Sequence, residues 1–217
     1  MDASADWIDL SHPISPDVAK VPFLPRPTFE SIEDASLQAT ELSIATHVGT
    51  HLEAPSHLRE GGTTIDEYPV SKFISRGIVA DTDVDSLERI DLEDLVLPAD
   101  PQPGDALLVR TGWAEYVGDD RYYEQPYFSD DLAEWMVEAD LSWVGIDSPS
   151  PEMPVQLRAE SFAYPVHSSL LDNDILIAEH LRNLAAVSGQ VVDVIALPLA
   201  LVGADGAQAR IVARRRG

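Results

Sequence analysis

The sequence predicts an α/β fold with a central mixed sheet. Seven strand candidates, most of them short apolar runs rich in Val, Ile and Leu, are spread along the 217 residues, only three segments read as helices, and strands and helices follow one another without a regular βαβ alternation. The length suits one domain, residues 1–217, with one sizeable core. Hydrophobic residues make up 45% of the chain and aromatics 7%, too apolar for a disordered segment.

Taken in order, the strand candidates are 7–10, 41–46, 77–81, 106–110, 143–147, 191–196 and 209–213. Helices are predicted at 87–96, where Asp85 and Ser86 are cap candidates, at 129–138, and at 178–187. Pro and Gly punctuate short elements throughout, with no repeat, Gly/Ser linker or low-complexity block. No Gly-x-Gly-x-x-Gly or Walker segment opens a helix, so nucleotide binding has no support. The longest apolar stretch, near the C-terminus, is broken by Asp193 and Pro198, and no membrane span is expected. The opening residues Met-Asp-Ala-Ser-Ala-Asp-Trp lack a basic region followed by an apolar run, and the expected compartment is cytoplasmic.

Asp and Glu total 38 against 14 Lys and Arg, for a formal charge of -24. That surface repels nucleic acid and anionic membranes. Only two of the basic residues are lysines, Lys20 and Lys72, and this depletion beside many acids points to a halophilic source, because concentrated salt shortens the range over which the excess charge acts. The absence of cysteine removes disulfides, thiolate zinc sites and a cysteine nucleophile together, so a metal would be held by His and carboxylate.

The histidines are unevenly placed: His47, His51 and His57 fall within eleven residues, with Glu53 among them. In an extended chain His47, His51 and Glu53 share parity and face one side. Extension alone would leave His47 and His51 roughly 13 Å apart, too far for one ion whose nitrogen ligands sit at about 2.0–2.1 Å. The chain must bend, and Gly49 is where it can. Pro55 directs the exit and sets His57 at the rim. There an imidazole, which titrates near neutral pH, can act as a base toward a water activated by the metal. From the residues alone the other reading is a polar turn with exposed histidines.

The segment His47-Val-Gly-Thr-His51-Leu-Glu53-Ala-Pro-Ser-His57 resembles the hallmark His-x-Gly-Thr-His-x-Asp-x-Pro-x-His of the cyclase family, which contains bacterial kynurenine formamidase and isatin hydrolase. It departs at Glu53, where the family usually has Asp. Asp9-Leu-Ser-His-Pro13, Gly104 through Trp113, Gly145-Ile-Asp-Ser-Pro-Ser150 and Pro198 through Arg210 extend the resemblance over nearly the whole chain. It implies a swivelling β/β/α fold and a metal-dependent hydrolase of a carbon–nitrogen (amide) bond, arylformamidase-like, as in tryptophan catabolism. A lactone, ester or cyclic-amide hydrolase of the same family, or a noncatalytic metal-containing binding protein, is the alternative.

The resemblance further implies His47, His51, Glu53, His167 and Glu179 as metal ligands, His57 as the acid/base, one or two divalent ions (zinc or manganese), a small-molecule substrate, and a dimer or tetramer. The longer side chain at Glu53 leaves the number of ions open. Without the resemblance, His167 reads as a partly buried structural histidine and Glu179 as an acid in the first turn of the 178–187 helix. His180 reads as a surface residue, His12 as a structural hydrogen-bonding residue, and Asp147 with Ser148 as loop architecture before Pro149. Trp7, Phe23 and Phe162 are candidates for aromatic walls, though each more often belongs to a core.

Overall fold

The computed structural model describes residues 7–34 and 36–216. Its elements run β1 (Trp7–Asp9), β2 (Thr28–Asp34), β3 (Leu37–Ser43), β4 (His51–Glu53), β5 (Ile74–Asp81), β6 (Arg89–Ile90), β7 (Ala106–Arg110), β8 (Tyr127–Phe128), α1 (Asp130–Glu138), β9 (Trp143–Ile146), α2 (Pro165–Leu171), β10 (Leu176–Glu179), β11 (Val191–Pro198) and β12 (Gly206–Arg215).

Strand β7 shows why the chain folds into layers. Ala106 and Leu108 turn to one side, Leu107 and Val109 to the other, and all four are buried, as expected of a strand covered on both faces. The first side joins Leu52, Val79, Trp143, Val192 and Val194 in one core. The second packs against Leu132 and Met136 of α1 and Val166 and Leu170 of α2. Strands β5, β7, β9 and β10 run parallel, and α1 and α2 are the crossovers from β7 to β9 and from β9 to β10.

The main sheet has the order β1-β12-β11-β5-β7-β9-β10-β4, and β12 also pairs with β4, so seven strands close on themselves. The start of β12 pairs with β4 (Gly206 opposite Glu53) and its end with β1 (Trp7 opposite Arg214). Closure wedges the three-residue β4 between β10 and β12, antiparallel to both.

Helix α1 forms as predicted. The Ser129 hydroxyl accepts from the Leu132 N–H at 3.1 Å, and Asp130 and Asp131 occupy the first turn, where acids suit the helix dipole. The predicted helix 87–96 does not form. Leu87 sits at φ 61°, residues 89 and 90 pair with β8, and a one-turn 3-10 segment at Leu92–Asp94 is capped by Asp91 rather than by Asp85 or Ser86. The predicted helix 178–187 is also absent. Leu176 through Glu179 are buried as β10, the left-handed residues His180 (φ 55°) and Asn183 (φ 59°) break the run, and only a one-turn 3-10 segment, Leu184–Val187, forms within the predicted span. The predicted strand 41–46 ends at Ser43, in the β2–β3 hairpin, every described position of which is exposed. Helix α2 was not anticipated, although Pro165 at its first position is a start signal. No helix among the described residues is long and apolar enough to cross a membrane.

Candidate metal centre

Strand β4 presents His51 and Glu53 on one face and turns Leu52 into the core. Directly opposed residues of antiparallel strands share a face, and Glu179 lies opposite His51. Register alone therefore brings Glu179 to His51, 126 to 128 residues after the β4 pair that it joins. The bend expected at Gly49 is present, with φ 72°, and returns His47 over the strand. His167 arrives from the buried side of α2.

His51 Nδ1–H donates to the Gly49 carbonyl at 2.8 Å, and His167 Nδ1–H donates to Glu152 at 3.1 Å. Each contact leaves the Nε2 lone pair facing the carboxylates, as a ligating imidazole requires. His51 Nε2 lies 3.4 Å from Glu53 Oε1 and 3.6 Å from Glu179 Oε2. His167 Nε2 lies 3.1 Å from Glu53 Oε2 and 3.6 Å from Glu179 Oε1. Each carboxylate thus offers one oxygen to each histidine. In a tetrahedral site with bonds near 2.0–2.1 Å, ligand atoms are about 3.3 Å apart, so these spacings fit a divalent cation. Glu53 Oε2 is buried and, among the described residues, has no aligned hydrogen bond despite its closeness to His167. That orphaned acceptor is a second sign that the residues fit a metal.

His47 Nδ1 lies 2.9 Å from Glu53 Oε1, and its Nε2 lies 2.8 Å from Asp205 Oδ2. Burial alone would lower the His47 pKa, but the hydrogen bond to Glu53 and the carboxylate charges outweigh it and raise it to about 9. Burial would likewise raise Glu53, yet the His167 charge and hydrogen bonds hold it well below the usual carboxylate range. Burial would lower His167, and Glu53 chiefly reverses that, holding it well above its ordinary value. Without a cation these imidazoles carry the positive charge that the buried carboxylates need, and metal binding would displace those protons.

His57 is at the rim, its side chain 30% exposed, with Nε2 3.9 Å from Glu53 Oε1. Its Nδ1–H donates to Asp205 Oδ2 at 3.2 Å. Burial would raise Asp205, but the hydrogen bonds from His47, above all, pull it down to about 2. All six site residues expected from the sequence, His47, His51, Glu53, His57, His167 and Glu179, therefore meet in one place.

Two acids that the sequence reading did not single out join them. Asp205 comes from the residue before β12 and Glu152 from the loop after β9. An acid beside Gly206 at a hairpin was the only available signal for Asp205. His180, expected at the surface, is fully buried: the left-handed turn after β10 folds its ring inward to a 2.8 Å hydrogen bond between Nδ1 and Tyr122 Oη. Glu179 lies on a strand, not in a first helical turn. Asp147 accepts from the Thr111 N–H and hydroxyl and the Gly112 N–H, holding that turn. Of the candidate aromatic walls, Phe23 is 84% exposed and Trp7 stacks under Arg214, while Phe162 lies near the centre through Tyr164.

The Cyclase family, described as "Putative cyclase", matches residues 8–153. Kynurenine formamidase of Bacillus cereus (strain ZK / E33L) is 29% identical over 223 residues, covering 97% of this chain and 98% of the relative. A solved structure described as a potential metal-dependent hydrolase with cyclase activity superposes with TM-score 0.82 at 27% identity, over 97% of this chain and 98% of the other. Isatin hydrolase A from Ralstonia solanacearum shares the fold, with TM-score 0.82 at 20% identity over 97% and 92% of the two chains. With a family match over most of its length and the family's histidine motif gathered at one centre, the chain belongs to the cyclase family.

Proposed function

We propose that this protein is an arylformamidase-like hydrolase that uses a divalent metal to cleave the carbon–nitrogen bond of a small aryl formamide. One observation carries the proposal: His51 and His167, each with its tautomer fixed, face each other across Glu53 and Glu179 while His57, braced by Asp205, stands beside them. His51, Glu53, His167 and Glu179 would hold the metal, with His47 next to Glu53. The His and carboxylate donor set would suit one or two divalent ions such as zinc or manganese. Bound there, the metal would polarise the formyl carbonyl and acidify a water.

The remaining work falls to the chain. Asp205 fixes Nδ1–H of His57, which leaves Nε2 free to take the proton of the attacking water. The same nitrogen then returns that proton to the departing aryl amine, so formate and amine leave as the carbon–nitrogen bond breaks. Burial of Glu53 and Glu179 keeps the carboxylates out of bulk water and so strengthens their attraction for a cation.

We also read the protein as an oligomer from a salt-rich, cytoplasmic setting. The exposed β2–β3 ribbon, which leaves Phe29, Ile32, Leu37 and Leu42 open, supports association, and the excess of 38 acids over 14 basic residues supports the salt. The test is hydrolysis of N-formylkynurenine in concentrated potassium chloride with added zinc or manganese, with and without a chelator. Chelator-sensitive release of kynurenine is expected. Fully metal-loaded protein that releases none would overturn the substrate assignment.

A further inference from the structure

We propose that Arg158 is a specificity residue that binds the carboxylate of an aromatic substrate whose anionic group lies away from the scissile bond. This deepens the hydrolase reading above and rests on it.

The first support is electrostatic. Ten of the twelve arginines lie within 4.0 Å of a carboxylate, as expected in a chain of net charge -24. Arg158 has no carboxylate within that distance among the described residues. Among the described residues its one hydrogen bond runs from Nε to the Met153 carbonyl at 2.6 Å, and none engages the outer edge of the guanidinium. That edge presents parallel N–H donors suited to a carboxylate.

The second support is position. Arg158 Cζ sits 4.7 Å from the Phe162 ring centre and 5.1 Å from that of Tyr164. Tyr164 in turn meets the His167 ring edge-on at 6.2 Å. The loop carrying these residues is tied at both ends of the site, because Glu152 accepts from both the backbone N–H and Nδ1–H of His167 and Arg158 holds Met153, the residue next to Glu152. Tyr164 is 42% exposed and adopts a left-handed backbone (φ 51°), a conformation costly for a tyrosine that aims its ring beside the metal centre rather than into the core. An aryl ring bound at the centre would meet Tyr164 and Phe162, and a carboxylate on its side chain would reach the guanidinium.

Binding decides the matter without turnover. L-kynurenine and 2-aminoacetophenone share the aryl amine and ketone, but only the first carries the amino-acid carboxylate. Calorimetric titration of the metal-loaded protein with each, at the lowest potassium chloride that preserves its circular dichroism, is expected to show kynurenine bound about tenfold to a hundredfold more tightly. Arg158→Gln should reduce that preference to within about twofold, and Arg158→Lys should keep part of it, as a point charge does. Equal affinities in the wild type, or an undiminished preference in Arg158→Gln, would overturn the proposal. Hydrolysis of N-formylkynurenine without an Arg158-dependent preference sinks this inference alone. A preference without any hydrolysis sinks the formamidase reading and leaves Arg158 as the anion site.

Discussion

Gly206→Ala probes the seam where β12 closes onto β4 and carries the metal centre with it. A Cβ at Gly206 would lie 2.6 Å from the Leu52 carbonyl oxygen, 3.3 Å from His47 Cε1 and 3.4 Å from Glu53 Cα. Carbon–oxygen contacts settle near 3.3 Å, so the strands would have to part by roughly 0.7 Å. The obstacle is backbone and cannot rotate aside. Overpacking of this kind costs about 1–3 kcal/mol, or about 3–10 °C of melting temperature at this size. The displaced residue is Glu53 itself, opposite Gly206 in the register, so metal affinity should fall about tenfold or more. Gly61→Ala is the contrast: its Cβ meets nothing within 4 Å, but its φ is +76°. It should cost about 1 kcal/mol in backbone strain and leave metal affinity unchanged. Thermal melting and competition with a chromogenic chelator measure both effects. A Gly206→Ala protein with wild-type melting and metal affinity would refute the closed seam as the support of the site.

Two further perturbations follow from the same geometry. Asp205→Asn removes the charge that braces His57 while keeping its shape, so kcat should drop about a hundredfold with metal content unchanged; steady-state kinetics beside elemental analysis checks this, and an unaltered kcat removes Asp205 from the mechanism. His12 is partly buried, and burial first, then the Arg182 charge, lowers its pKa to about 4. The unfolded chain therefore binds this proton below about 6.5 while the fold resists it until about 4, so stability falls as pH drops through that window and levels off below it. Discounted for partial exposure, the contribution is about 1–2 kcal/mol. Urea unfolding of metal-free wild type and His12→Asn at pH 8 and pH 4.5 should show the variant losing less by that amount, and parallel losses would remove His12 from the acid response.

Much of the fold was legible because a strand buried on both faces leaves a mark. The runs at 77–81 and 106–110 are covered on both faces and carry continuous apolar sequence. The helix expected at 129–138 forms as α1, with Ser129 as its cap and two acids in its first turn. Failures fell where tertiary pairing overrides local pattern. Ala178 and Glu179 read as the start of a helix, yet with Leu176 and Ile177 they complete the sheet between β4 and β9, and only the left-handed conformations at His180 and Asn183 end the ambiguity.

The site divides in the same way. The cluster at residues 47–57 is local in sequence and was visible from spacing and from the bend at Gly49. His167 and Glu179 were assigned through the family resemblance, because nothing in their own segments distinguishes them from a structural histidine and a helix-start acid. Asp205 and Glu152 reach the centre only through β12 closure and the loop before α2, contacts separated by 158 and 15 residues, and no local motif encodes either.

The central claim is that His51 belongs to the metal-holding set and His57 to the proton-transferring one. Metal content and formamide turnover measured side by side on His51→Ala and His57→Ala test it most directly. His51→Ala should lose both the metal and the activity, whereas His57→Ala should retain the metal and lose nearly all turnover. Wild-type rates in His57→Ala, or a full metal complement in His51→Ala, would contradict the division of roles.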